Sequence, residues 1–199
     1  MKIIIIGATG TIGKNITRAV ESNHEVIKAG SKSGDLNIDM TSPDSIKDFF
    51  SKTGSFDALV IAAGGGYIGN FDEMTEENFY KGIHSKMMGQ INLVLEGKKH
   101  INPGRSFTLV SGSLAEKTVR SMLNLTVINA AINAFVIAAA LELEPVARIN
   151  AVSPGPLKGF LETFKELFPD TEPVTEERVT AAYLGCIEGT INGKIIKVH

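Results

Sequence analysis

Short unbroken apolar runs alternate along this chain with longer segments of helical periodicity. The first run, Lys2–Ile6, reads KIIII and meets a glycine turn. Comparable runs occupy 25–29, 58–62, 105–110, 148–152 and 194–198. Several lack the in–out alternation of a half-exposed strand, as strands covered on both faces do. Strands interleaved with helices from end to end predict an α/β fold, a Rossmann-like doubly wound parallel sheet of about seven strands. A short extended segment, Leu36-Asn37-Ile38-Asp39, supplies the third strand. Only Gly30-Ser31-Lys32-Ser33-Gly34-Asp35 separates it from the second, too little chain for a crossover helix.

Polar punctuation marks where the helices begin and end. Ser42 precedes Pro43 and opens PDSIKDFFSK, an N-cap followed by proline at the first helical position. Thr75 and Thr175 each precede a pair of glutamates, which favour a helix N-terminus. Gly97 and Gly189 fall where two helices should end. The segment 156–173 reads as loop around one short helix, FLETFKELF, and forms a shortened lid over the carboxyl edge of the sheet. With no repeat or linker, residues 1–199 read as a single domain.

Composition narrows the function classes. The chain is 43% hydrophobic and 21% charged, with a formal net charge of −2 and a pI near 6.1. No basic cluster is denser than Lys98-Lys99, so neither nucleic acid nor an anionic membrane is the expected partner. The single cysteine, Cys186, excludes an internal disulfide and fits a reducing, cytoplasmic setting. Within AAYLGCIEG it reads as a buried small hydrophobe rather than a reactive thiol. The long apolar run ending in LELEP is interrupted by Asn133 and closes in acids, so no membrane helix is expected there. His24, His84, His100 and His199 show no metal-like spacing, and no metal site is expected.

The most specific pattern follows the first strand. Gly7-Ala8-Thr9-Gly10-Thr11-Ile12-Gly13 leads straight into a helix. Glycines so placed permit a tight turn, a close approach by pyrophosphate and close helix–sheet packing. Free amides at the helix start then face the phosphates. Together with IDM at 38–40, AAG at 62–64 and RINAVSPGP at 148–156, this GATGTIG loop resembles the short-chain dehydrogenase/reductase family, across essentially the whole chain. The resemblance implies a nicotinamide dinucleotide with its pyrophosphate at Gly7, Thr9, Gly10, Thr11, Ile12 and Gly13. It implies Asp39 and Met40 against adenine, Ala62, Ala63 and Gly64 beside the adenine ribose, and Pro154 and Gly155 flanking the nicotinamide. Asp39 has an alternative as a solvated cap before Ser42. Where an acid would hold the ribose 2′-hydroxyl, this chain has Ser31, Lys32 and Ser33. One cation and two hydroxyls suit a phosphate, which favours NADP(H) over NAD(H). The alternative for Lys32 is an ordinary solvated loop lysine.

The family's chemistry uses a serine past the fifth strand, a tyrosine about a dozen residues later and a lysine one helical turn beyond it. Ser111 matches the serine, with Ser113 as fallback. Alignment along the helix places Leu125 at the tyrosine and Asn129 at the lysine. Lys86 stands where the family has a helix asparagine, and Gly159 near a nicotinamide-contacting threonine. Leucine has no proton to give, whereas Asn129 keeps the capacity to hydrogen-bond a ribose. Substitute donors are Lys86, whose alternative is a surface position on its helix, and Tyr67, whose alternative is a plain loop tyrosine. Lys117, Arg120 and Asn124 are candidates to line the substrate space. A subgroup of the family of about this length resembles the chain further through MGQ at 88–90 and NLV at 92–94, and lacks the usual active-site residues.

Two functions follow as expectations. One is an NADP(H)-binding oxidoreductase with Ser111 as oxyanion stabiliser and a nonstandard proton donor. The other is a catalytically silent dinucleotide-binding protein, acting as a redox sensor or interaction partner. In both, the helix at 124–143 is nearly apolar all round and the one around Met87–Val94 has similar character, which agrees with the two long helices through which members of the resembled family commonly dimerise. A homodimer (or tetramer) through the helices around 75–97 and 124–143 is expected.

Overall fold

The computed structural model describes residues 1–199. Seven strands form one sheet: β1 (Lys2–Ile6), β2 (Glu25–Gly30), β3 (Leu36–Asn37), β4 (Phe56–Ile61), β5 (Ile101–Val110), β6 (Ala147–Pro154) and β7 (Ile195–Val198). Their order is β3-β2-β1-β4-β5-β6-β7, and every neighbouring pair is parallel. The order reverses between β1 and β4. Ligands of open α/β sheets bind at such a reversal, outside the carboxyl ends of the strands.

Eight helical segments flank the sheet: α1 (Thr11–Val20), α2 (Pro43–Thr53), α3 (Glu76–Gly82), a π-helical turn (Ile83–Met88), α4 (Gly89–Gly97), α5 (Leu123–Leu143), α6 (Lys158–Thr163) and α7 (Glu176–Glu188). The four isoleucines of β1 explain the lack of alternation in the sequence. Ile4 and Ile6 join Phe49, Phe50, Leu93, Ile128 and Ile132 in the core beneath α2, α4 and α5. Ile3 and Ile5 join Ile16, Val20, Tyr183 and Cys186 beneath α1 and α7. Burying such a side chain fully is worth about 1.5–3 kcal/mol, so both faces of β1 hold the layers together. The predicted caps form: Ser42, Thr75 and Thr175 accept from the backbone N–H of Ser45, Asn78 and Arg178 at 3.3, 3.2 and 3.4 Å.

Some boundaries differ from the pattern-based expectation. β5 starts at Ile101 rather than 105, because Ile101 pairs with Phe56 before the register shifts to Ala58 opposite Ser106. Pro103 and Gly104 sit in that irregular stretch and mask the strand in the sequence. The lid helix starts at Lys158 instead of Phe160 and breaks at Phe164, leaving a 3₁₀ turn over Lys165–Leu167. The link from β2 to β3 is a loop, as expected, pinned by the Asp35 carboxylate accepting from the Lys28 amide at 2.8 Å.

α5 is long and apolar enough to cross a membrane by length and composition alone. Here it lies against β6 with Ile128, Ile132 and Val136 fully buried, while Val127, Ile137 and Leu141 face outward.

Candidate active site

Two adjoining cavities open at the carboxyl edge of the sheet, and Ala62, Ala63 and Gly64 line both. The first is a cleft of about 470 Å³ between the β1–α1 loop, the β2–β3 loop and the turn before α2. Its floor requires glycine. Gly7 has φ +83°, and a Cβ on it would sit 2.6 Å from the Ala62 carbonyl oxygen. A Cβ on Gly13 would overlap the Gly7 carbonyl. The chain thus folds back on itself with no side chain between; the Gly7 and Gly10 amides donate to the Ala29 and Gly7 carbonyls, while the amides of the first turn of α1 have no partner within the helix.

Thr9, Gly10, Ser31, Lys32 and Ser33 line the same cleft, and the hydroxyls of Thr9 and Ser33 bridge the two loops at 2.9 Å. Asp39 and Met40 also line it. The Asp39 carboxylate accepts from Thr41 N–H at 2.8 Å and Thr41 Oγ1 at 2.7 Å, and the threonine side chain foremost holds its pKa below the usual carboxylate value. So the capping alternative for Asp39 holds alongside its place at the cleft. Thr11 lies exposed at the start of α1, and Ile12 turns instead into the second cavity. Ser85, from the π turn, lines the cleft although no motif pointed to it, because a lone helical serine carries no pattern.

The second cavity, about 370 Å³, lies beneath the lid. Ser111 and Ser113 enter from the end of β5, Leu125 and Asn129 from α5, Pro154 and Gly155 from the end of β6, and Phe160 and Phe168 from the lid. The lid rings pack together, Phe160 against Phe164 at 4.8 Å and Phe168 at 5.7 Å between centroids.

Lys86 enters from the π turn. The surface alternative for this lysine is overturned: it is 7% exposed, and its Nζ donates to the Ser111 carbonyl at 3.0 Å and to Asn129 Oδ1 at 2.8 Å. Burial lowers its pKa from 10.5 to about 8. The Ser111 hydroxyl makes a long hydrogen bond, 3.3 Å, to the Asn129 carbonyl. Gln90, fully buried, fixes the helix to β5. Its Nε2 donates to the Val110 carbonyl and its Oε1 accepts the Val110 amide, both at 2.9 Å. Nothing in the sequence marked Gln90 beyond its place in MGQ.

Other candidates fall outside the cavity. Tyr67 is not among its lining residues; its ring lies against Gly69, with Lys81 Nζ 6.0 Å from the ring centre. Asn124 is structural: fully buried, it accepts from the Tyr67 amide and donates to the Phe79 carbonyl, both at 2.8 Å. Lys117 and Arg120 are exposed and line neither cavity. Gly159 lies in α6 with open space beside it and lines neither cavity. Cys186 is buried, and desolvation raises its thiol pKa to about 11, as an inert core thiol requires.

Residues 8–189 match the family model described as enoyl-(acyl carrier protein) reductase, which is a short-chain dehydrogenase/reductase model. The chain belongs to the short-chain dehydrogenase/reductase family. The protein lin1944 from Listeria innocua superposes with a TM-score of 0.97 at 37% identity, over 100% of both chains. A small-chain dehydrogenase solved in complex with NADPH has a TM-score of 0.88 at 26% identity, over 100% of this chain and 96% of that one. The enoyl-[acyl-carrier-protein] reductase [NADH] FabI of Rickettsia bellii is 30% identical over 130 residues. That match takes in 61% of this chain and 50% of the relative, so the chain spans about half the length of the curated relative it matches.

Proposed function

We propose that this short-chain dehydrogenase/reductase binds NADP(H) along the two cavities and acts as an oxidoreductase on a small, largely apolar carbonyl compound. The observation that carries this reading is the continuity of the site. A glycine-floored cleft leads through Ala62, Ala63 and Gly64 into a cavity where Ser111, Asn129 and Lys86 gather their polar atoms among apolar walls. The glycine cradle and the free amides at the start of α1 fit a pyrophosphate, and the second cavity has room beyond them for a nicotinamide and a small substrate. When bound, a reduced nicotinamide supplies a hydride.

The protein's own part is to bind, orient and stabilise charge. The Ser111 hydroxyl donates its one proton to the Asn129 carbonyl across a long 3.3 Å bond, and rotating it from that weakly held acceptor lets it donate to a developing oxyanion instead. The lid phenylalanines keep water from the reacting centre. Leu125, at the position the resemblance gives to tyrosine, presents only methyl groups, so the proton comes from elsewhere.

The relatives divide on the dinucleotide, one complexed with NADPH and the other named for NADH. Ser31, Lys32 and Ser33, all exposed around one end of the cleft, favour the 2′-phosphate. Titration with NADPH and NADH, followed by single-turnover oxidation across a panel of apolar ketones and aldehydes, tests the reading. Saturable NADPH binding with carbonyl-dependent oxidation supports it. Binding without oxidation would favour the silent redox-sensor alternative.

For assembly we propose a homodimer through the outward face of α5 and the adjoining α4. Val127, Ile137, Leu141 and Leu95 there are 43–74% exposed, and a helix apolar all round needs cover on more than one side. Light scattering at micromolar concentration tests this, and a monomer with L141E unchanged would overturn it.

A further inference from the structure

The second cavity has 21 lining residues, and Lys86 is the single titratable side chain among them. It arrives from the π turn, which packs against α5. From β5 it faces the Ser111 carbonyl, from α5 the Asn129 amide, and from the loop after β4 the backbone of Gly64. On its own helix its carbonyl accepts from Gln90 Nε2 at 3.1 Å. None of these groups is titratable, and no carboxylate pairs with it.

An ammonium has three protons, and the two neutral acceptors take two of them. The third has no protein partner. A buried cation without a counter-charge is costly, and the group that relieves it is an anion formed or bound in the cavity. The Gln90 clasp anchors the helix turn that carries Lys86, and Asn129 Oδ1 orients the amine. Asn129 thereby turns its Nδ2 toward Gly112, where a Cβ would approach it to 2.8 Å. Lys86 and Asn129 are thus one unit, the cation on the helix that carries the π turn and its acceptor on α5. Single-turn π insertions of this kind often mark functional sites.

We propose that the Lys86 ammonium is the proton donor of this cavity, supplied from the π turn that packs beside α5, where position 125 offers none. This rests on the oxidoreductase reading above. Were a bound reduced nicotinamide to give its hydride to the carbonyl carbon, leaving as the oxidised dinucleotide, the C=O π pair would move to oxygen. That oxygen would take a proton from Lys86 Nζ, giving an alcohol and a neutral amine, which regains its proton from solvent. Ser111 Oγ donates a hydrogen bond to the same oxygen. The substrate class is a ketone or aldehyde with an apolar body and no charged group of its own, since beyond Lys86, Asn129, Ser111 and Ser113 the side chains lining the walls are all apolar. A pKa near 8 suits the role, because most Lys86 carries its proton at neutral pH and yields it readily.

The test has one arm in the free protein and one in the loaded protein. In the free protein, the Lys86 ¹³Cε resonance, assigned by its loss in K86M, should titrate near pH 8. A midpoint in the ordinary range near 10.5 overturns the proposal. In the loaded protein, aliphatic ketones, aromatic aldehydes and 1-phenyl-1,2-propanedione serve as probes. K86A should bind NADPH like the wild type yet oxidise it ~10²–10⁴-fold more slowly, and the wild-type rate should fall as pH rises through about 8. Added methylammonium should restore K86A, which loss of a merely structural lysine would not allow. Undiminished turnover in K86A, or a loss that amines do not restore, overturns it. NADPH binding with no turnover on any probe, or no NADPH binding at all, strikes the underlying oxidoreductase reading instead, and the free-protein titration then decides whether Lys86 is a poised acid.

Discussion

The cleft beside the β1–α1 loop and the cavity beneath the lid share a wall but are built on different logic. The cleft is shaped by backbone: glycines without room for a Cβ, free amides at the start of α1, and hydroxyls on exposed loops. The cavity is shaped by side chains, an apolar chamber whose polar groups reach it from β5, α5 and the π turn. A local glycine pattern marks the first, although Ala62 and Ser85 complete it from further along the chain. The second exists only once three distant segments have packed. Lys86 and Asn129 show this, with the cation on the π turn and its amide acceptor on α5.

The comparison breaks most sharply at Gly13. A G13V substitution drives a side chain into the Gly7 carbonyl. It should weaken NADPH binding by at least ~100-fold, with overpacking that costs about 1–3 kcal/mol of stability or more, read by fluorescence titration and urea unfolding. A bulkier side chain in the cavity, L125F, should weaken NADPH binding far less, because the glycine cradle for the pyrophosphate lies in the cleft and not in the cavity.

Next in size is the Lys86–Asn129 unit. N129K alone would place two cations in one buried site and should destabilise the protein by about 2–4 kcal/mol. The exchange K86N/N129K restores one cation and one amide, and should recover more than about 1 kcal/mol of that loss as positive coupling. Additive effects in a double-mutant cycle would mean that the two residues do not act together.

A third effect comes from pH. The folded pKa of Lys86, about 8, lies below the ordinary 10.5 of an unfolded chain. Between those values the unfolded chain holds a proton that the folded protein has released, so unfolding takes up protons and stability rises with pH. Relative to K86M, wild-type stability should gain about 3 kcal/mol across the window from pH 8 to 10.5, and nothing below it. A difference independent of pH would place the amine in water.

The smallest effect is at Lys32, an exposed cation at the rim of the cleft. K32A should cost NADPH about 1 kcal/mol, roughly fivefold in affinity, and leave NADH unchanged. Equal losses for both would return Lys32 to the role of a plain loop lysine.

Legibility in the sequence followed the same division. The strand core was plain because KIIII reports burial on both faces, and the cleft because its glycines are fixed at short range. The early part of β5 was hidden by Pro103 and Gly104, which break the apolar run without ending the pairing. Lys86 reads as surface on a helix, since nothing near it in the chain shows that Ser111 and Asn129 close over its amine. Asn124 reads as a substrate contact for the converse reason: its two hydrogen-bond partners, Tyr67 and Phe79, lie more than forty residues away. Residues whose role depends on long-range contacts were the ones misplaced.

Everything proposed for the second cavity depends on the cleft beside it holding a dinucleotide. A fluorescence titration of NADPH and NADH against the wild type and K86M at neutral pH measures this. Saturable binding is expected, tighter for NADPH, with the same affinity in K86M. Absence of saturable binding of either dinucleotide to the folded wild type would overturn the cofactor reading.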